Sequence, residues 1–89
     1  MELKFSKELE EYRASAIKWI QNEIPEWWHD YVERVSDRKR YEEFTKGWDS
    51  KLFKAGYSGI SAPKEYGGQG ESVLKEMLFE EELGRADAP

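Results

Sequence analysis

Apolar residues recur at three- and four-residue spacing from Leu9 through Tyr12, Ala16, Ile17 and Ile20, the period of one face of an α-helix. Ser6 stands where an N-cap belongs and Glu8 lies against the positive end of the helix dipole, so the pattern predicts a helix over residues 7–23. Pro25 disfavours helical geometry at Ile24 and ends it. A second, shorter helix follows, with Trp28, Tyr31, Val32 and Val35 on one face and Trp27 at its edge. Ser36 and Asp37 interrupt it. Asp37 then caps a third helix that runs to Ala55, with Tyr41, Phe44, Trp48, Leu52 and Ala55 as its stripe. Gly56 is placed for the left-handed C′ position that closes such a helix.

Residues 57–70 break the helical period. They are too rich in glycine for a helix and too short of alternation for a strand, and so predict an ordered loop. Within it Gly67 and Gly68 supply positive φ for a tight turn, and Pro63 stiffens the approach. Tyr66 offers a ring to pack and a hydroxyl to satisfy. A fourth helix runs from about Ser72 to Ala86, carrying Leu74, Met77, Leu78 and Leu83 with Phe79 beside them. Gly47 and Gly84 lie inside helical patterns at ~1 kcal/mol each relative to alanine, and close approach of another backbone would explain both. The fold class is all-α: four amphipathic helices with an ordered Gly/Pro-rich loop before the last, in one domain over residues 1–89.

A chain of 89 residues buries only roughly 60% of the surface its unfolded form exposes, so its independent stability is marginal. Four Trp, five Tyr and four Phe are a large aromatic load in a chain with 37% charged residues. Few other apolar groups surround these rings, and some are expected to face a partner surface. The net charge of −5 is uneven. Residues 1–33 carry eight acids and four bases, residues 34–54 four and seven, and residues 55–89 seven and three. A basic middle between acidic ends is a balanced surface rather than a nucleic-acid footprint. The absence of cysteine excludes disulfides and thiolate metal sites. No apolar run approaches the ~20 residues of a membrane span, and the expected location is cytoplasmic.

Candidate chemistry is sparse. His29 lacks the companion ligands of a metal site or the nucleophile of a triad, and reads as a structural histidine. Glu80, Glu81 and Glu82 point about 100° apart on a helix and cannot converge as paired catalytic carboxylates. Two are read as solvated and one as paired with a base such as Arg85, the i+4 partner of Glu81; burial of one against a neighbouring domain is the other reading. Arg38, Lys39 and Arg40 form a short basic cluster, read as a solvated face with a phosphate-bearing ligand as the minor alternative. The glycine loop matches neither of the phosphate-binding patterns. Its N–H groups can be aimed at an anion on the fourth helix, or the glycines serve the turn alone. No catalytic, cofactor-binding or metal-ligating residue is assigned.

The order Trp48, Leu52, Ala55, Gly56, Tyr57, then Gly59, Pro63, Glu65, Tyr66, Gly67, Gly68, Gly70, then Phe79, Glu82, Leu83, Arg85, Ala86 resembles the N-terminal helical domain of the acyl-CoA dehydrogenases. The resemblance covers about residues 44–89; residues 1–43 match only in helical character. It implies a much longer flavoenzyme with a middle β domain and a C-terminal helical bundle, assembled as a homo-oligomer. In that family a carboxylate base takes the α-proton of an acyl-CoA thioester while the β-hydride passes to N5 of FAD, and electrons leave to an electron-transfer flavoprotein. The catalytic glutamate and the main flavin-contacting segments lie downstream in the family, so no catalytic position is carried over. The matching residues are expected to be architectural. The expectation is a partial N-terminal domain, inactive alone and without FAD of its own, cut after Pro89. The alternative is a stand-alone helical interaction module or accessory subunit that uses its aromatic faces.

Overall fold

Four α-helices form in the expected order, α1 (Lys7–Glu23), α2 (Tyr31–Ser36), α3 (Arg38–Ala55) and α4 (Val73–Arg85), in a computed structural model that describes residues 6–89. The first five positions of the 1–89 domain span lie outside the described residues, among which there is no strand. The caps predicted at Ser6 and Asp37 hold, and Ser72 caps the fourth helix. Ser6 Oγ accepts from the Leu9 N–H, Asp37 Oδ1 from the Arg40 N–H, and Ser72 Oγ from the Lys75 N–H. Each satisfies one of the free donors at a helix start. α3 closes as predicted on Gly56 (φ 82°): the Tyr57 N–H reaches Leu52 O at 2.8 Å and the Gly56 N–H reaches Phe53 O at 3.2 Å. That pair of bonds is the Schellman motif, and glycine supplies its left-handed residue without steric cost.

The second helix begins later than its apolar pattern suggests. Residues Glu26–His29 form a 3-10 turn, and α2 starts only after Asp30, whose Oδ1 accepts from the N–H groups of Val32 and Glu33. Its expected apolar face does not form. Trp28 is buried, but Tyr31, Val32 and Val35 are exposed. The turn swings Trp28 inward and leaves α2 too short to hold a second face on the core.

The core joins Ala16 and Ile20 of α1, and Ile24 just after it, to Trp28, Trp48, Ile60 and Phe79. Aromatic rings pack mainly on one another. Tyr57 stacks on Phe79 with centroids 4.3 Å apart, and Trp19 lies 5.0 Å from Tyr57 and 5.5 Å from Trp48. Trp28 stacks on Tyr41 and carries the Arg34 guanidinium 4.1 Å from its ring centre. Tyr31, Phe53 and Tyr66 are left exposed.

α4 also turns a different face inward from the one its leucines suggest. Leu78, Phe79 and Glu82 are buried, while Val73, Leu74 and Met77 are exposed. The buried set recurs at three and four residues, as a helix requires, but it includes a carboxylate. The backbone approach suggested for Gly47 and Gly84 is absent within this chain: no atom of the described residues lies within 4 Å of a Cβ built at either position, beyond each glycine's own local helix.

Candidate functional site

The glycine-rich loop satisfies itself. Its N–H groups at residues 66–71 all donate to loop carbonyls, among them Gly68 to Pro63, Gln69 to Gly59, Gly70 to Ala62 and Glu71 to Ile60. A short 3-10 turn, Lys64–Tyr66, follows Pro63 and ends on Gly67 at φ 84°. Gly68 does not have the positive φ expected of it. Glycine is needed there because a Cβ would sit 2.2 Å from Ala62 O and 2.5 Å from Ala62 Cβ. Positive φ falls instead on Gly59 and Gly70 as well as Gly67. With these donors turned inward the loop is no anion cradle. The N–H groups of residues 66–71 therefore offer no backbone nest to a phosphate-bearing group.

Ser61 fastens this loop to α4. Its backbone N–H and its hydroxyl both donate to Glu76 Oε2, at 2.9 and 2.6 Å. These bonds, the hydroxyl first, hold the Glu76 carboxyl below the usual glutamate range. Lys75, one residue earlier, joins the start of α4 to α1: its Nζ lies 2.8 Å from Glu71 Oε2 and 2.8 Å from Glu8 Oε1. The hydrogen bonds it donates to Glu71 and Glu8 raise the Lys75 pKa, and the same lysine lowers that of Glu8. Behind it Tyr12 is pushed up to about 12, chiefly by burial and then by its neighbours Tyr57 and Glu71.

Six or seven residues further along, α4 meets α1 again. Arg13 Nε and Arg85 Nη1 both donate to Glu82 Oε1, at 2.8 and 3.0 Å, and Arg85 Nη2 bonds Glu81. The expected Glu81–Arg85 pair forms, and Glu80 is exposed. Glu82 is the buried one of the three, and its partners lie on α1 and on its own helix. Its side chain is 7% exposed. The pairing of residues 8 with 75 and 13 with 82 sets α1 and α4 side by side in the same direction.

The signature residues thus divide by place. Trp48 is in the core and Leu83 packs against it, while Gly56 closes α3. Gly59, Pro63, Gly67, Gly68 and Gly70 shape the loop. Glu82 joins α4 to α1 through Arg13, while Arg85 bonds Glu81 and Glu82 of its own helix. Glu65 and Tyr66 face solvent, Tyr66 at 84% exposure, so the ring expected to pack is not covered by the described residues. His29 is exposed. Among the described residues no cluster of three His, Cys, Asp or Glu could hold a metal ion, and no helix is long and apolar enough to cross a membrane. The arrangement offers positioned helices rather than a nucleophile or a paired acid and base. Sequence reasoning missed Ser61–Glu76 and Arg13–Glu82, which lie 15 and 69 residues apart. Only the Glu71–Lys75 pair carried a local signal, its i+4 spacing.

A further fastening holds the end of the chain. The Trp28 indole N–H donates to Asp87 O at 2.6 Å, while Arg34 donates to Trp28 O and to the Asp87 carboxylate. Asp87 stands at φ 52°, and the Ala88 N–H returns to Leu83 O. Aspartate is one of the few residues that tolerates this left-handed position.

The family model for the acyl-CoA dehydrogenase N-terminal domain matches residues 6–89. Acyl-CoA dehydrogenase IpdE1 of Mycobacterium tuberculosis is 29% identical over 93% of this chain and 22% of its own length. Putative acyl-CoA dehydrogenase YdbM of Bacillus subtilis is 33% identical over 80% of this chain and 21% of its own. Mitochondrial isovaleryl-CoA dehydrogenase of Pongo abelii is 32% identical over 91% of this chain and 18% of its own. The chain therefore spans about a fifth of the length of these relatives. No solved structure is significantly similar to it.

Proposed function

This chain belongs to the acyl-CoA dehydrogenase family, and we propose that residues 1–89 are part of the N-terminal helical domain of an FAD-dependent enzyme that dehydrogenates an acyl-CoA thioester between its α and β carbons. One observation carries this reading. The family's N-terminal-domain model runs through all the described residues, and relatives bearing dehydrogenase names align along nearly the whole chain. The relatives give no support to a self-contained interaction module.

In this reading the chain contributes architecture. Trp48, Gly56 and Leu83 hold the helices together, the loop from Gly59 to Gly70 fixes where α4 begins, and Glu82, steadied by Arg85, sets its register on α1 through Arg13. Glu65 and Tyr66 stand ready for contacts outside the chain. The base, the flavin site and the acyl pocket belong to a middle β domain and a C-terminal helical bundle. FAD, an electron-transfer flavoprotein, a homo-oligomeric assembly and a cytoplasmic setting complete the proposal. The chain alone is inactive, because chemistry of this kind needs a base of tuned pKa and a cofactor held against the reacting bond.

The test is the intact mass of the protein purified from its native source, with a visible absorbance scan on the same sample. A mass several times that of 89 residues, with a flavin band that bleaches on adding acyl-CoA, is the expected result. A chain of 89 residues without flavin, or turnover of acyl-CoA by the isolated chain supplied with FAD, would overturn it.

A further inference from the structure

Glu82 is bound through one oxygen only. Arg13 and Arg85 both donate to Oε1, while no donor among the described residues reaches Oε2. The side chain is 7% exposed, and it lines a cleft between α1 and α4 with Ile17, Ile20, Gln21, Arg85 and Ala86. Oε2 is not a fully buried atom left without a partner: it keeps contact with solvent, and its lone pairs are open to a further donor. The cleft holds about 170 Å³, below the ~300–1,000 Å³ of sites that enclose a cofactor or a substrate of that size. It is the size of one or two small side chains.

We propose that this cleft is a socket for a neutral hydrogen-bond donor on a short aliphatic stem, a Ser or Thr hydroxyl or an amide N–H, presented by a segment of the remaining flavoprotein. Glu82 Oε2 is its acceptor, and Ile17, Ile20 and Ala86 are the walls. Charge selects the neutral donor. Two guanidinium groups already compensate the Glu82 carboxylate, and Glu81 offsets part of the Arg85 charge. A third cation would be repelled by the arginines, and an anion would face the uncovered carboxylate oxygen. The occupant is assigned to the rest of the same protein because the chain spans only about a fifth of the length of its relatives. That assignment rests on the function proposed above; the chemistry of the socket does not.

Two measurements test it. In the 89-residue chain, N-methylacetamide should shift the methyl resonances of Ile17, Ile20 and Ala86, whereas acetate and guanidinium should leave them in place. Unmoved methyl signals, or equal shifts with either ion, would overturn the socket chemistry. The chain has no cysteine, so Gln21→Cys gives a clean reporter at the rim, with Lys39→Cys at the exposed start of α3 as control. In the complete flavoprotein Gln21→Cys should react with maleimide roughly tenfold more slowly than in the isolated chain, since access sets thiol reactivity, and Lys39→Cys should not change. Equal rates for Gln21→Cys in both would remove the occupant. Absence of flavin in a protein that still shields Gln21→Cys would sink the functional reading and leave the docking intact.

Discussion

Ser61 gives both of its polar hydrogens to one oxygen of Glu76, the hydroxyl at 2.6 Å and the backbone N–H at 2.9 Å. The relationship ties a loop that is otherwise closed on itself to the helix that follows. It also sets a pH dependence. The folded pKa of Glu76 is depressed below its ordinary 4.5, so the stability it contributes is complete above that value and drains as pH falls through the folded pKa. Ser61→Ala removes the larger cause of the shift. Urea unfolding of the two proteins should therefore differ most above pH 4.5 and converge in acid. A gap that stays constant down to low pH would mean that the hydroxyl acts through packing alone.

Gly67 and Gly68 are adjacent but needed for different reasons, and alanine separates them. At Gly67 no atom of the described residues, its chain neighbours aside, lies within 4 Å of a built Cβ, so Gly67→Ala carries only the left-handed strain, about 1–2 kcal/mol. At Gly68 the Cβ meets the carbonyl oxygen of Ala62 at 2.2 Å. That oxygen already accepts from the Gly70 N–H and cannot withdraw without breaking the loop. Gly68→Ala is expected to cost about 3 kcal/mol or more. Denaturant midpoints that reverse this order would contradict the loop geometry.

Local rules made much of the fold legible. Ser6 and Asp37 announce two helix starts, and Pro25 and Gly56 announce two ends, because each acts on backbone groups a few residues away. The inward faces of α2 and α4 were harder to read. Tyr31, Val32 and Val35 form an apolar run, but a 3-10 turn rotates Trp28 inward without them. On α4 the apolar residues Leu74 and Met77 are outside while Glu82 is inside. A buried carboxylate looks solvated until its partner is known, and Arg13 lies 69 residues away. The glycine loop announced itself by composition, yet the reason for glycine at position 68 depended on where Ala62 would fall. The family resemblance reached further than periodicity because it drew on the joint spacing of these residues.

Tyr12 predicts behaviour at the alkaline end. Its hydroxyl is buried with no hydrogen-bond partner among the described residues, and burial pushes it up to about 12. Above the ordinary 10.0 the unfolded chain releases this proton while the folded chain keeps it, so stability falls from pH 10 towards 12. Tyr12→Phe removes the phenol from both states. It should leave neutral stability unchanged or raise it by up to about 1 kcal/mol, and flatten the alkaline decline. Tyr57, also raised by burial, keeps a residual slope. An unchanged alkaline limb in the variant would place the titration elsewhere.

Gly47 and Gly84 distinguish needs internal to this chain from needs imposed by its surroundings. Both lie in helices, neither has positive φ, and beyond the local helix no atom of the described residues lies within 4 Å of a built Cβ. An alanine in either place restricts the unfolded chain and meets no obstacle in the folded one. Gly47→Ala and Gly84→Ala should each stabilise the 89-residue chain by about 0.5–1 kcal/mol, seen as a higher thermal midpoint. Destabilisation in the isolated chain would show a constraint within it that this packing does not contain. If a domain beyond residue 89 approaches α3 or α4 closely, the same methyl group must displace it, at about 1–3 kcal/mol. The sign of the change would then reverse between the isolated chain and the complete protein, and the glycine at which it reverses would mark where the next domain lies against the helices.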